Sequence, residues 1–186
     1  MYEKTLKVLA VSAMVISFSL CARALDNSGH SSGPGAPGCG EDAAKFAVDN
    51  DAGQAAAKAE PGKALVYFIE DDSNFGSFPK PTTRMGVDGK WVGATHGNSY
   101  MAFAVDPGEH HLCASWQFGV ILGKGKMASA AHFTAEAGGV YYFEVKNTFI
   151  RGDNSAITDM SLKPLDSDEG QLLANKYAVS VSKPKK

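Results

Sequence analysis

The chain has little cysteine and tryptophan, and neither sign of charge is in marked excess. It contains 3 Cys and 2 Trp among 186 residues, and 18 Lys and Arg stand against 20 Asp and Glu, for a formal net charge of -2. No basic excess points to nucleic acid, and no acidic run suggests a solvating tail. The composition excludes a coiled coil, a collagen-like fibre and a fully disordered chain. The 20 glycines instead favour turn-rich β structure.

The N-terminus has the three parts of a secretory signal. Lys4 and Lys7 supply a positive start, the stretch Val8–Leu20 is apolar, and an Ala-Arg-Ala sequence ends at Ala24. The apolar stretch is too short for a bilayer, which needs roughly 20 residues, and the small residues fit signal peptidase. We therefore expect residues 1–24 to be cleaved between Ala24 and Leu25, which predicts a periplasmic or secreted protein.

Two alternatives to cleavage at Ala24 remain open. Cys21 is a candidate lipidation site, which would anchor a lipoprotein in the membrane. Leu20 is bulky for the position before a lipidated cysteine, where bacterial signals use a small residue. In the second alternative, the apolar stretch is not cleaved and remains as a membrane anchor. Contact with a membrane is expected only if Cys21 is lipidated.

The only cysteines left after cleavage are Cys39 and Cys113. An exported protein occupies a compartment where disulfides form and persist. Alternation places Cys113 on the strand face opposite Leu112 and Trp116, away from the main core, where the preceding tail can reach it. We predict a Cys39–Cys113 disulfide that pins this tail across one sheet.

Composition divides the rest of the chain into three segments. Residues 25–60 are rich in Gly, Pro and Ala and predict a flexible tail. Residues 61–177 carry the strand patterns and form the predicted domain. Residues 178–186 end in a basic sequence and are predicted to be disordered.

Seven or eight short strands, separated by turn signals, predict an all-β fold, an antiparallel β-sandwich with a short C-terminal helix. The apolar run Ala64–Ile69 indicates a central strand covered on both faces, and Asp88-Gly89 is a strong hairpin signal. Asp166 followed by Glu169 has the spacing of a capping box at the start of a helix. The predicted core consists of Leu65, Tyr67, Phe68, Ile69, Phe103, Trp116 and Phe143.

Three stretches, Gly62–Ile69, Val87–Gly93 and Ser99–His110, occur in an order that resembles the bacterial domain-of-unknown-function family numbered 2846. The stretch from Leu162 to Leu173 is also similar to the C-terminal end of that family. The turn motifs are similar to those of PEGA-type surface modules as well. The resemblance covers roughly residues 61–177 and implies an exported, often lipid-anchored sandwich with no established activity. It supplies no catalytic residues.

The histidines are the first candidates for a metal site. His110 and His111 are adjacent, and adjacent residues of a strand point to opposite faces, so the pair cannot chelate one ion. Other potential ligands are Asp106, Glu109, His96 and His132, but their spacing matches no zinc motif. We predict no metal site and no cofactor. His111 and Cys113 share a strand face, which leaves a cysteine nucleophile as an alternative.

Four further motifs have ordinary structural interpretations. The stretch Glu70–Asp72 next to Asn74 offers oxygens for calcium but is expected to be a solvated acidic turn. Gly123–Lys126 lacks the pattern of a phosphate loop, and Arg151–Asp153 matches an integrin-recognition tripeptide that fits a turn equally well. The fourth is a possible exposed apolar patch made of Phe75, Phe78 and Trp91.

The sequence thus predicts a non-enzymatic, exported cell-envelope protein with a binding or structural role. We predict no catalytic residues, and the expected partner is an envelope protein or a glycan. The alternative is a metal-dependent or cysteine-based hydrolase that uses His111, His132 or Cys113.

Overall fold

The computed structural model describes residues 39–51, 58–77, 79–118, 127–153 and 155–186. The described strands are β1 (Phe46–Asp51), β2 (Ala64–Asp71), β3 (Thr82–Val87), β4 (Lys90–His96), β5 (Ser99–Val105), β6 (Gly108–Trp116), β7 (Ala128–Ala135), β8 (Val140–Arg151), β9 (Ala156–Leu165) and β10 (Ala178–Pro184), with one helix, α1 (Ser167–Lys176). A six-stranded sheet has the order β1-β10-β5-β2-β8-β9, and a four-stranded sheet has the order β4-β3-β6-β7. The predicted all-β class with a short C-terminal helix is confirmed.

Most strand pairs are antiparallel, but two are parallel. Strand β2 pairs in parallel with β8, and β10 pairs in parallel with β5. The first of these pairs puts β2 inside the larger sheet, between β5 and β8, as expected for a strand that is apolar on both faces.

The ends of the domain differ most from the prediction. Residues 178–186 were expected to be disordered, yet Ala178–Pro184 form β10, which pairs with β1 and β5. The side chain of Ser180 is buried and donates a 2.7 Å hydrogen bond to Ser99 Oγ. Alternating small and apolar residues are enough for a strand when both neighbouring strands supply backbone partners. The sandwich therefore extends beyond the predicted limits of 61 and 177.

The predicted core residues are all at least partly buried, but they are divided between the two faces of the larger sheet. Leu65, Phe68, Ile69, Trp116 and Phe143 are buried, whereas Tyr67 and Phe103 are half-buried. Phe103 stacks on Phe68, with ring centroids 5.5 Å apart. Tyr67 instead lies on the outer face of the larger sheet, where it stacks on Tyr142 at 4.8 Å.

The predicted hairpin and helix signals correspond to observed geometry. Asp88 and Gly89 both have positive φ, 50° and 79°, between β3 and β4, as a two-residue hairpin requires. Asp166 Oδ1 accepts hydrogen bonds from the backbone nitrogens of Asp168 and Glu169, both at 2.9 Å. Leu172, within this helix, is 66% exposed. In the described part of the chain, no helix has the length and apolar character needed to traverse a membrane.

Candidate functional site

A disulfide joins Cys39 to Cys113 on β6. The two Cα atoms are 5.0 Å apart, and the cysteines are separated by 74 positions in sequence. Cys113 is buried. The predicted disulfide is confirmed, and the sulfur of Cys113 is bonded to that of Cys39.

Residues 39–45, which we call the strap, lie against the outer face of the four-stranded sheet. Buried Arg84 on β3 donates from Nη1 to the carbonyl oxygens of Asp42 and Ala44, at 2.9 and 3.0 Å. Its guanidinium lies 4.3 Å from the ring centre of Trp91, whose Nε1 donates to the carbonyl of Glu41 at 2.7 Å. The strap is thus held through its backbone by side chains of the sheet, in addition to the disulfide.

Gly40 has a steric role in the strap. A Cβ atom added at Gly40 would lie 2.6 Å from the Trp91 ring and 2.8 Å from the Trp91 backbone nitrogen. The side chain of Trp91 was predicted to belong to an exposed apolar patch, but it is half-buried between the strap and Arg84. Only glycine permits this close approach.

A second group of polar residues lies between the two sheets; we call it the carboxyl cluster. It consists of Glu70, Asp72, Thr83, Trp116 and Asn147. Asn147 Nδ2 donates to Glu70 Oε1 at 2.8 Å and to Asp72 Oδ1 at 2.7 Å, while Asn147 Oδ1 accepts from Trp116 Nε1 at 2.8 Å. Thr83 Oγ1 donates to Glu70 Oε1 at 2.6 Å. One amide side chain therefore links two carboxyl groups and an indole in the core.

Burial governs the protonation of the two carboxyl groups. Glu70 is 0% and Asp72 1% exposed. Burial and the nearby Asp72 charge raise the pKa of Glu70 well above its ordinary value, and burial raises the pKa of Asp72 to about 6. Two neighbouring carboxyls in a low dielectric cannot both ionise easily. The pair therefore holds protons more tightly than two separate surface carboxyls would.

Each carboxyl of the pair keeps one oxygen, Glu70 Oε2 and Asp72 Oδ2, that is buried and without a hydrogen-bond partner. The acidic stretch predicted as a solvated turn is thus buried, and that prediction is wrong. Strand β2 continues to Asp71, so alternation points Glu70 into the space between the sheets. The described residues contain no group of three or more potential metal-binding side chains.

Cations and a tyrosine surround the edge of the carboxyl cluster. Lys80 Nζ donates to the carbonyl of Asp72 at 3.0 Å, and Lys146 Nζ donates to Asp71 Oδ2 at 2.8 Å. Burial of Asp71 opposes ionisation, but the hydrogen bond from Lys146 still lowers its pKa. Burial and the charge of Asp71 raise the pKa of Tyr177 to about 12. Lys146 therefore neutralises the carboxylate of Asp71, and Lys80 binds the backbone of the loop that follows it.

The carboxyl cluster predicts that folding stability decreases as the pH rises. The folded-state pKa of Asp72, about 6, exceeds its ordinary 3.8. Its contribution is complete below about pH 4 and is lost as the pH rises through about 6. The raised pKa values of Glu70 and His110 act in the same direction, and the lowered values of Asp71 and Asp88 act only in more acidic solution. We expect a lower melting temperature at about pH 7.5 than at about pH 5, measured by circular dichroism.

The control for this prediction is a pair of carboxylate-to-amide variants. Asp72→Asn should flatten the pH dependence of the melting temperature. Asp153→Asn removes an exposed carboxylate and should keep the wild-type dependence. Equal slopes in all three proteins would contradict the assignment of the titration to the carboxyl cluster.

The histidines are divided between different environments. His110 Nδ1 lies 2.7 Å from Asp88 Oδ2, and His110 Nε2 lies 2.7 Å from the carbonyl of Asp106. Burial opposes protonation of His110, but these acceptors raise its pKa. His96 Nδ1 is 3.0 Å from the carbonyl of Pro81. The other two histidines within the described residues, His111 and His132, face each other across β6 and β7.

The other sequence candidates do not join a site. Phe75 was predicted to lie in an exposed patch but is buried, packing edge-on against Trp116 with ring centroids 5.8 Å apart. Arg151, Gly152 and Asp153 lie exposed between β8 and β9. The remaining candidates, Cys21, Ala24, Leu25, Phe78 and the loop 123–126, lie outside the described residues.

Sequence reasoning missed Arg84 and Asn147, which organise the strap and the carboxyl cluster. Arg84 stands between Thr83 and Met85 in a strand, where an outward charge is ordinary. Asn147 follows an alternating strand and resembles a strand-end residue. The pairing of β3 with β6 places Arg84 on the same face as Cys113, and this relation depends on a register that the sequence does not show.

The described residues form a disulfide-strapped β-sandwich with two carboxyl groups buried between its sheets. The chain belongs to the family described as "Protein of unknown function (DUF2846)", whose model matches residues 60–160. Comparisons with curated proteins and with solved structures find no match. The family match spans β2 through the first half of β9 and omits the strap, β1, α1 and β10.

Proposed function

We propose that this chain is an exported cell-envelope protein whose sandwich binds an envelope protein or glycan, or supports envelope structure, without a reaction of its own. The observation that carries the proposal is the Cys39–Cys113 disulfide. Structural disulfides form and persist outside the reducing cytosol. The apolar stretch Val8–Leu20, which precedes Cys39 in the sequence, also supports export out of the cytosol.

The state of the candidate catalytic groups supports a non-enzymatic role. Cys113 is consumed by the disulfide, and Glu70 and Asp72 are buried between the sheets. A general acid or base must reach the proton that it transfers. A substrate cannot contact these carboxyls without opening the sandwich.

The described surface includes an apolar pair that supports contact with another envelope component. Ile150 on β8 is paired with Ile157 on β9, and the two side chains are 51% and 60% exposed. Exposed apolar side chains that lie side by side are a recurring feature of binding surfaces. We place the contact surface of the proposal on this part of the β8–β9 hairpin.

The export component predicts a defined mature N-terminus. Protein recovered from the periplasm or culture medium should begin at Leu25, because the Ala-Arg-Ala sequence ends at Ala24. Intact-mass measurement and N-terminal sequencing check this. Ala24→Lys should block processing, while Ala36→Lys, in the predicted tail, should not.

Two outcomes would change or contradict this function. A diacylglycerol mass on Cys21 would make the protein a membrane-anchored lipoprotein, as in the alternative retained from the sequence. Full-length protein confined to the cytoplasm would contradict export. The binding role is tested by capture from envelope extract, in which Ile157→Lys should lose a component that Leu172→Lys retains.

A further inference from the structure

The outer face of the four-stranded sheet carries two histidines at directly opposed positions. His111 on β6 and His132 on β7 are register partners in an antiparallel ladder. Both are exposed, and their ring centroids lie 6.5 Å apart with the ring planes inclined by 50°. Neither ring has a hydrogen bond to another described residue. The pair therefore differs from His96 and His110, whose ring nitrogens already have partners.

Opposed positions of a β ladder suit chelation, whereas adjacent positions in one strand do not. Directly opposite side chains start about 4.5–5.5 Å apart and project from the same face. Nitrogen atoms bound to one zinc-like ion lie about 2.0–2.1 Å from it, so the rings must approach each other slightly. Because both side chains are exposed, rotation about their own bonds achieves this while the two strands hold the backbone fixed.

The local charge also favours a cation. Asp88 accepts a hydrogen bond from the backbone nitrogen of His111 at 2.9 Å. Glu109 lies two positions before His111 in β6 and is exposed, so alternation places it on the same face. Neutral imidazole suits Zn²⁺, Ni²⁺ and Cu²⁺, with Cu²⁺ bound most strongly for a given ligand set.

We propose that His111 and His132 form a surface site for one divalent transition-metal ion, held by two imidazoles and completed by water, with Cu²⁺ preferred over Zn²⁺. The site lies outside the carboxyl cluster and does not depend on export. It is a binding site, since no described third side chain completes a catalytic ligand set. This inference goes beyond the proposed function because it names a ligand for a surface to which that proposal assigns none.

The test uses the full chain with its disulfide intact, purified without a polyhistidine tag. Calorimetric titration with Cu²⁺, Ni²⁺ and Zn²⁺ at about pH 7.5 should show one ion per chain. His111→Ala and His132→Ala should each weaken binding about tenfold or more, because a chelate becomes a single imidazole. His30→Ala, in the tail, is the matched control and should bind like the wild type.

A second measurement separates the site from non-specific binding and from misfolding. Histidine ring resonances of folded protein should shift on adding Zn²⁺ for His111 and His132, and stay in place for His96 and His110. The proposal would be overturned if both alanine variants kept the wild-type affinity or if His30→Ala lost binding. It would also be overturned if the wild-type protein bound none of the three ions with a dissociation constant below about 100 µM.

Discussion

Replacing Asn147 by alanine should lower the free energy of unfolding by about 3–5 kcal/mol, because it leaves the buried side chains of Asp72 and Trp116 without their partner and leaves Glu70 with the bond from Thr83. The amide of Asn147 bonds to Glu70, Asp72 and the indole of Trp116, all within 2.8 Å. Each buried group that loses its hydrogen bond costs about 1–3 kcal/mol. Equilibrium unfolding in urea, followed by tryptophan fluorescence, measures the loss.

Two comparisons test this explanation against loss of packing alone. Asn175→Ala, at an exposed position of the helix, should be nearly neutral. Asn147→Asp keeps the size of the side chain but adds a third carboxyl, so its destabilisation should be larger at neutral pH than in acid. A destabilisation by Asn147→Asp that does not vary with pH would argue against an electrostatic role for the amide.

Removing the disulfide with the double substitution Cys39→Ser and Cys113→Ser should cost about 4 kcal/mol. The loop that it closes spans 74 positions, and the chain-entropy model gives a stabilisation of about this size for such a loop. The strap should also detach more often from the sheet. We therefore expect Trp91 to become more accessible to a soluble fluorescence quencher, in addition to the loss of stability in urea.

The matched control for the strap is Glu41→Ala. Glu41 contacts Trp91 through its backbone carbonyl, and its side chain is exposed, so this variant should keep both stability and quenching. Full stability in the double serine variant would show that Arg84 and Trp91 hold the strap without the disulfide.

The sequence predicted the features that depend on local patterns or on a small number of choices. Asp88-Gly89 and Asp166 determine a turn and a cap through their own backbone and side chains. The strand that contains Cys113 alternates clearly, so its outward face was assigned correctly. With two cysteines in the predicted mature chain, one pairing was available. These inferences needed no knowledge of distant partners.

The carboxyl cluster could not be predicted because its partners are distant in sequence. Glu70 and Asn147 are 77 positions apart, and Thr83 and Asn147 are 64 apart. The run before Glu70 is apolar on both faces, so it carries no alternation that would show which way Glu70 points. A buried charge is also rare without specific partners. The local pattern therefore favoured a solvated turn, and tertiary contacts determined otherwise.

The terminal strand β10 was missed for a related reason. Val179 and Val181 favour a strand, but the alternating run is short and leads into the basic sequence that begins at Lys183. The strand is stabilised by β1 on one side and β5 on the other, neither of which follows from its own composition.

The position of the disulfide determines how a mechanical load would enter the domain. A chain held by any segment before residue 39 transmits tension first to Cys39, and the covalent bond passes it directly to Cys113 inside β6. The residues after Cys39, including β1, then carry none of that tension, although they come next along the backbone. Strand β6 is flanked by β3 and β7, so the pull acts on a strand bonded on both sides rather than peeling an edge. A force applied to the N-terminal side of the domain would therefore not separate β1 from the six-stranded sheet.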